Sequence, residues 1–369
     1  MKKALYLIIY IPLLLLASCD VHELPTRDNV GVPFFLHLDF NSEMPLYKEI
    51  PYTRTDDEEA TKAPAYLYNI RYTIKAYRTD ITRGDAREAD ATFVFTQPAT
   101  AALNFTAPLE LPEGEYDFQI WTDYVDAGTI ADKFYNTSDF SEIILSDRKN
   151  HRGSEDFRDA YRGYTKGKVL NPEYYLGDVA NSIDNQAFAE MRRPMGKFKF
   201  VATDVESFVT RVIEMMKEKG KNKNTSFPTD SIWNTRAEYE RALEYIGIEQ
   251  FKVVFRYNLF MPCSFNMFTD KPADSWTGMT FESNMYSEDY NEMTLGFDYI
   301  FVNGSETTLS VSLEVYDEEG QLLSSTDPIN VPVVRSKLTL VTGSFLTSKA
   351  AEGVSISPGF DGEFNIPIQ

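Results

Sequence analysis

Apolar and polar side chains alternate in short runs along most of this chain. Phe34, Leu36, Leu38 and Phe40 alternate with Phe35, His37 and Asp39, the period-two pattern of a half-buried strand. Tyr66, Tyr68, Ile70, Tyr72, Ile74 and Ala76 give the cleanest run of this kind. Tyr116, Phe118, Ile120 and Tyr124 continue it after a turn at Pro112-Glu113-Gly114. Residues 92–97, 103–107 and 141–145 are shorter strand candidates, the last closing the set. Several short strands separated by turns predict a β-sandwich. Residues 146–190 are rich in Gly, Asp, Asn and Arg with weak periodicity, and the boundary of the first domain falls near their end.

A second unit starts at 196–202, and two helical patterns follow. Val205, Phe208, Val209, Val212, Ile213 and Met216 have helical spacing, with a capping box from Thr203 and Glu206 and a stop at Gly220. Tyr239, Ala242, Leu243 and Ile246 repeat the spacing, capped by Thr235 and Glu238 and ended by Gly247. Strands then resume. Phe251, Val253, Phe255, Tyr257 and Leu259 alternate, and residues 295–302 and 307–316 flank Asn303-Gly304, a hairpin signal. A turn at 317–320 leads to 321–325, and 331–334, 337–342 and 364–368 complete the set. The expected order is a β-sandwich over 32–190 and a second over 191–369, the latter carrying a two-helix insertion near 203–247.

The first residues carry an address. Lys2 and Lys3 precede an apolar run over 4–16, too short to span a bilayer but the size of a signal-peptide core. It ends Leu16-Ala17-Ser18-Cys19, which resembles a bacterial lipobox. The expectation is a signal peptide over 1–18, a lipid on Cys19 and a tether over 19–31. Acyl chains on Cys19 then hold the protein at a membrane. Asp20 and Glu23 resemble the surface-export signal of lipoproteins in some Gram-negative anaerobes, so the expected place is the outer membrane, on the cell surface.

Composition narrows the chemistry. Among 369 residues, 56 Asp and Glu outnumber 36 Lys and Arg, for a net charge of −20. Such a chain repels phosphate backbones, which argues against a nucleic-acid partner. With 3 His and 2 Cys scattered along it, a Cys- or His-rich zinc site is not expected. With Cys19 lipidated, Cys263 has no disulfide partner and reads as a small buried hydrophobe. His22 falls in the tether, His37 on the polar side of a strand and His151 in a polar loop, each read as a solvated surface side chain. Nucleophile elbows, phosphate loops and zinc-protease motifs are absent from the sequence. Carboxylate pairs suited to glycoside hydrolysis occur by chance in so acidic a chain. No catalytic residue, metal ligand or cofactor is therefore assigned. Asp123, Asp126, Asp132 and Asp139 form the best calcium candidate but miss the EF-hand pattern. Asp56, Asp57, Glu58 and Glu59 read as an exposed loop, with Arg54 a conceivable processing site. Trp121, Trp233 and Trp276 can stack on sugars, though packing in the core is the commoner use.

Several segments, taken in order, carry a resemblance. They are Cys19-Asp20-Val21-His22-Glu23, Phe35-Leu36-His37-Leu38-Asp39-Phe40, residues 120–126 (IWTDYVD), 132–137 (DKFYNT), 193–198 (RPMGKF), 331–343 (VPVVRSKLTLVTG) and 360–366 (FDGEFNI). The set resembles the fimbrillin-like lipoproteins of Gram-negative anaerobes, nearest the fimbrial anchor (FimB-type) group. The resemblance implies two tandem transthyretin-like β-sandwiches on an outer-membrane lipoprotein. It also implies fimbrial subunits as partners, joined by strand addition at a sheet edge. The residues 364–369 can then serve as a donor or as a plain edge strand. The competing class is a glycan-binding surface lipoprotein of a nutrient-uptake system, which would display several exposed aromatics on one platform.

Overall fold

The computed structural model describes residues 30–41, 65–81, 88–149, 151–220, 235–287, 291–347, 355–359 and 366–367. It is mainly β. In chain order the first strands are β1 (Val32–Asp39), β2 (Tyr68–Arg78), β3 (Ala91–Pro98), β4 (Phe105–Leu111) and β5 (Gly114–Asp126). Two short strands follow, β6 (Tyr135–Asn136) and β7 (Ile143–Leu145), then β8 (Tyr161–Val169), a helical turn α1 (Asp178–Asn181) and β9 (Gln186–Arg192). The second unit opens with β10 (Met195–Ala202) and the helices α2 (Val205–Glu218) and α3 (Arg236–Ile246). It continues through β11 (Lys252–Tyr257), β12 (Phe260–Pro262), β13 (Ser264–Asn266), β14 (Lys271–Pro272), β15 (Ser275–Thr277) and β16 (Thr280–Asn284). The last strands are β17 (Met293–Phe301), β18 (Glu306–Tyr316), β19 (Leu322–Ser325), β20 (Ile329–Val334), β21 (Leu338–Gly343), β22 (Ser355–Gly359) and β23 (Ile366–Pro367).

The pairing shows that the chain traces one path twice. In the first unit β1 pairs antiparallel with β4 and parallel with β9, while β2 pairs with β3 and β5, and β5 with β8. In the second, β10 pairs antiparallel with β17 and parallel with β21, while β11 pairs with β16 and β18, and β18 with β20. The first unit thus stacks a three-strand layer on a four-strand layer, and the second repeats that plan with β22 and β23 added to one layer and β19 to the other. Phe34 of β1 meets Phe118 of β5 across the first at 5.4 Å. Phe198 and Phe200 of β10 meet Phe255 of β11 across the second. Each such buried side chain stabilises the fold by roughly 1.5–3 kcal/mol.

Insertions distinguish the two passes. The helices α2 and α3 lie between β10 and β11, the position that residues 40–67 hold in the first unit. The predicted capping box of α3 forms, Thr235 accepting from the Glu238 amide and Glu238 from the Thr235 amide, and Gly247 closes the helix in the left-handed region. The one predicted for α2 does not form. Asp204 is its N-cap, and the Asp204 carboxylate is drawn away by the amides of Leu346 and Thr347.

Three other readings of the pattern are corrected. Residues 143–145 do not close the first sandwich; β7 pairs with β13 of the second unit. Asn303-Gly304 turns the chain between layers and not between paired strands, because β17 pairs with β10 and β18 with β11. Residues 146–190 hold all of β8 and most of β9. The inward positions of β8 include Gly163 and Gly167, where a Cβ would stand 2.3 Å from Met191 Sδ and 2.7 Å from the rings of Phe118 and Phe34. Large side chains from the facing strands fill that space, so β8 shows no apolar alternation.

Candidate functional site

The segment 127–160 leaves the first unit after β5 and packs into the core of the second. Trp121, Phe134, Tyr135, Phe140, Ile143, Leu145 and Phe157 share a hydrophobic cluster with Phe198, Phe265 and Phe301. The junction so made is lined with buried charge. Asp298 of β17 lies at its centre. His151 Nε2 stands 2.6 Å from Asp298 Oδ2, Arg158 Nη1 donates to Oδ1, and the Tyr257 hydroxyl donates to Oδ2. Beside it Arg193 forks onto Asp159 at 2.9 Å and onto the Tyr161 hydroxyl at 2.6 Å. Lys197 donates to Asp156 at 2.6 Å and sits 3.8 Å from the centre of the Phe297 ring. Burial alone would raise the Asp298 pKa, but Arg158 and the His151 and Tyr257 contacts outweigh it and hold the carboxyl below its usual range. Burial lowers the Lys197 pKa against the pull of Asp156.

His151 is therefore not the solvated loop side chain that its polar neighbours suggest. It is 8% exposed, edge-on to Tyr257 and Phe281. The polar residues around it are spent on one another inside the junction. His37 does lie on the outer side of β1, between the Thr106 hydroxyl and the Gln186 amide oxygen at 3.0 Å each. Its ring stacks on Phe188, which is 65% exposed, and Phe35 is exposed on the same face. Sequence reasoning missed this aromatic group because Phe188 falls in the stretch without periodicity. Cys263 is fully buried, and burial pushes its thiol up to about 12.

The four aspartates of the calcium candidate are not gathered into one group. Asp123 pairs with Arg71 at 2.7 Å, Asp132 also reaches Arg71 at 2.7 Å, Asp126 takes Lys133, and Asp139 accepts from the Ser141 amide. Among the described residues no three His, Cys, Asp or Glu side chains come together as metal ligands. Trp121 is buried edge-on against Tyr135, and Trp276 is buried under Arg148. Cys19, His22, Arg54, the run Asp56, Asp57, Glu58 and Glu59, and Trp233 lie outside the described residues.

The sheet edges are the remaining candidates. β3 and β4 end the path of the first unit on either side of its opening. Phe95 and Tyr72 close that opening against Phe105, at 5.5 and 4.6 Å. Pro108 removes one amide from β4 and Pro98 ends β3, devices that blunt an edge. β23 forms the outer edge of the five-strand sheet, paired with β22. Of 364–369, only 366–367 fall among the described residues.

The tyrosines of both cores predict alkaline sensitivity. Burial pushes Tyr68 and Tyr77 up to about 12 and raises Tyr72, Tyr124, Tyr135, Tyr161 and Tyr257 as well. A folded pKa above the unfolded value of about 10 means stability that is whole below pH 10 and lost as pH rises toward 12. Urea midpoints should fall steadily above pH 10, and tyrosinate absorbance should rise in step with unfolding. Full tyrosine titration with the fold intact would refute this.

No helix among the described residues is long and apolar enough to cross a membrane. No curated protein matches the chain. Among solved structures, the fold is similar to a candidate polysaccharide binding protein (DUF1812) from Bacteroides thetaiotaomicron. The two are 10% identical over 90% of this chain and 98% of that one, with a TM-score of 0.44. It is similar to the fimbrial anchor protein Mfa2 from Porphyromonas gingivalis, 12% identical over 84% and 91%, with a TM-score of 0.35. A candidate adhesin from Bacteroides thetaiotaomicron is 12% identical over 91% and 99%, with a TM-score of 0.41. Residues 33–369 match a family of unknown function, DUF6562, and the chain belongs to that family.

Proposed function

We propose that this protein is a non-enzymatic lipoprotein of the outer membrane, displayed on the cell surface as a fimbrial anchor or accessory subunit. The observation that carries the reading is the Leu16-Ala17-Ser18-Cys19 box at the end of a basic and then apolar leader. A lipid on Cys19 fixes one end of the chain, and the two passes of the fold serve as transthyretin-like domains over 32–190 and 191–369. Strand addition at a sheet edge joins the fimbrial subunits, with main-chain hydrogen bonds giving affinity and alternate side chains giving selectivity.

Two experiments test this. Cys19→Ala should move the chain from the membrane pellet to the soluble fraction, and retention in the pellet would overturn the anchor. The intact protein, recovered from outer membranes without boiling, should bring down subunits that form ladders. Recovery of a TonB-type transporter with glycan-binding neighbours and no fimbrial subunit would favour the second reading, a glycan-binding surface lipoprotein. The exposed rings of Phe35 and Phe188, with half-buried His37 stacked on Phe188, are the observation on its side.

A further inference from the structure

The strand registers fix which end of the first unit faces the tether. β9 runs parallel to β1 with Gln186 beside Phe35, so the loop from β8 into β9 lies at the end where β1 begins. β8 ends opposite the start of β5, Val169 beside Gly114, and β2 ends there too, Arg78 beside Tyr116. Arg192 at the end of β9 lies at the opposite end, and only Arg193 and Pro194 separate it from β10, which opens the second unit. The tether therefore leaves from one end of the first unit, and the second unit is joined at the other. Cys19 precedes Val30 by 11 residues, a covalent reach of at most roughly 35–40 Å.

At the tether end the β8–β9 loop presents apolar side chains to solvent. Leu176 is 89% exposed, the highest value among the large hydrophobic residues of the described chain, and Val179 is 55% exposed. Ile81 and Val30 are exposed at the same end. The loop is held at its neck. The Asn185 side chain accepts from the Leu170 amide at 3.0 Å and donates to the Leu170 carbonyl at 2.9 Å. Asn171 caps the turn that follows, accepting from the Glu173 amide at 3.0 Å, and the Tyr175 hydroxyl donates to Glu113 at 2.8 Å. A short loop closed at its neck carries its tip as a fixed projection. Tyr174 and Tyr175 stand half-buried behind the tip, a place suited to rings at a membrane interface.

We infer that this end of the first unit rests on the lipid surface to which Cys19 is tethered, with Leu176 and Val179 inserted among the headgroups. The inference rests on the lipid-anchor reading. Exposed carboxylates of Glu173, Asp178 and Asp184 flank the tip, so the surface that fits is zwitterionic and not anionic. The tether brings the tip within reach of the bilayer at no diffusional cost, so even a weak apolar insertion is populated.

The test uses the full lipidated chain in phosphatidylethanolamine and phosphatidylcholine vesicles. Cys263 is buried and Cys19 is acylated, so Leu176→Cys or Val179→Cys supplies the accessible thiol for an environment-sensitive fluorophore. Leu322→Cys is the control, an exposed apolar position where β19 meets the end of β18, at the far end of the second unit. Labels at 176 and 179 should emit further to the blue than the label at 322. They should be quenched by spin-labelled lipid, and iodide should quench them roughly two- to threefold less. Equal quenching by iodide at 176, 179 and 322 overturns the proposal. So does protection at 176 without quenching by lipid, which would give the loop to a protein partner. Mass spectrometry of the Cys19 peptide is read first. A peptide without lipid refutes the anchor itself, whereas a lipidated chain with a wet Leu176 refutes only the seated loop.

Discussion

Replacing Asp298 with alanine should cost about 3–5 kcal/mol of folding stability, the usual result of stripping one partner from a buried ion pair. The carboxylate is fully buried and serves Arg158, His151 and Tyr257 together. Without it the Arg158 guanidinium stays in the junction as an uncompensated charge. Urea unfolding should show a much lower midpoint. The double variant Asp298→Ala with Arg158→Met should recover a good part of the loss, since removing both charges spares the orphaned one. A double variant no better than the single would sink this account. The pH response follows from the depressed pKa of Asp298. A folded value below the unfolded one gives stability that is present above the unfolded pKa of about 3.9 and lost as pH falls through the folded value. Wild type should weaken as pH drops below 4, and Asp298→Ala should show a smaller decline.

Gly196→Ala should be nearly as damaging, at about 3 kcal/mol or failure to fold. A Cβ on Gly196 would stand 2.2 Å from the Val334 carbonyl oxygen and 2.8 Å from Val333 Cγ1. The oxygen belongs to the backbone, so no rotamer change relieves the clash. Every residue of β10 is buried, and the strand pairs on both sides, with β17 and with β21, so it cannot shift alone. Gly31→Ala is the contrast, because its Cβ would meet Glu110 at an ordinary 3.6 Å and should change little. Thermal melts of the two variants check the difference, and a Gly196→Ala chain as stable as Gly31→Ala would contradict the packing.

The strands that alternate cleanly were legible because every second residue of each is apolar and faces the core, even where the polar residues between them on β2 and β5 are buried as well. β1, β2 and β5 carry Phe34, Tyr72 and Phe118 inward in the order that the pattern indicates. α3 was legible from its caps alone. β8 was not, because glycines occupy its inward positions, and neither was the exposure of Phe188 on β9. Asn303-Gly304 marked a turn correctly but said nothing of which strands pair, since pairing is decided by layers far apart in sequence. His151 looked solvated because the charges that bury it come from Arg158 on its own segment and from Asp298, 147 residues away. Of the candidate site, Cys19 rests on the resemblance of Leu16-Ala17-Ser18-Cys19 to a lipobox and lies outside the described residues, whereas the junction needed tertiary contacts that no local spacing encodes.

The parallel pairing of β1 with β9 has a bearing on load. In the proposed anchor, a tether would pull β1 from its start and a partner held by the second unit would pull β9 from its end. Because the two strands run the same way, these pulls oppose each other along the hydrogen-bonded seam from Phe35 and Gln186 to Asp39 and Glu190. Such a seam is sheared, and its bonds must break together; a hairpin pulled from its open end would unzip bond by bond. β10 and β21 repeat the arrangement over Lys197 to Ala202. Resistance to rupture is a matter of unfolding rate and not of equilibrium stability. An anchor of the proposed kind would carry load through two such clamps in series.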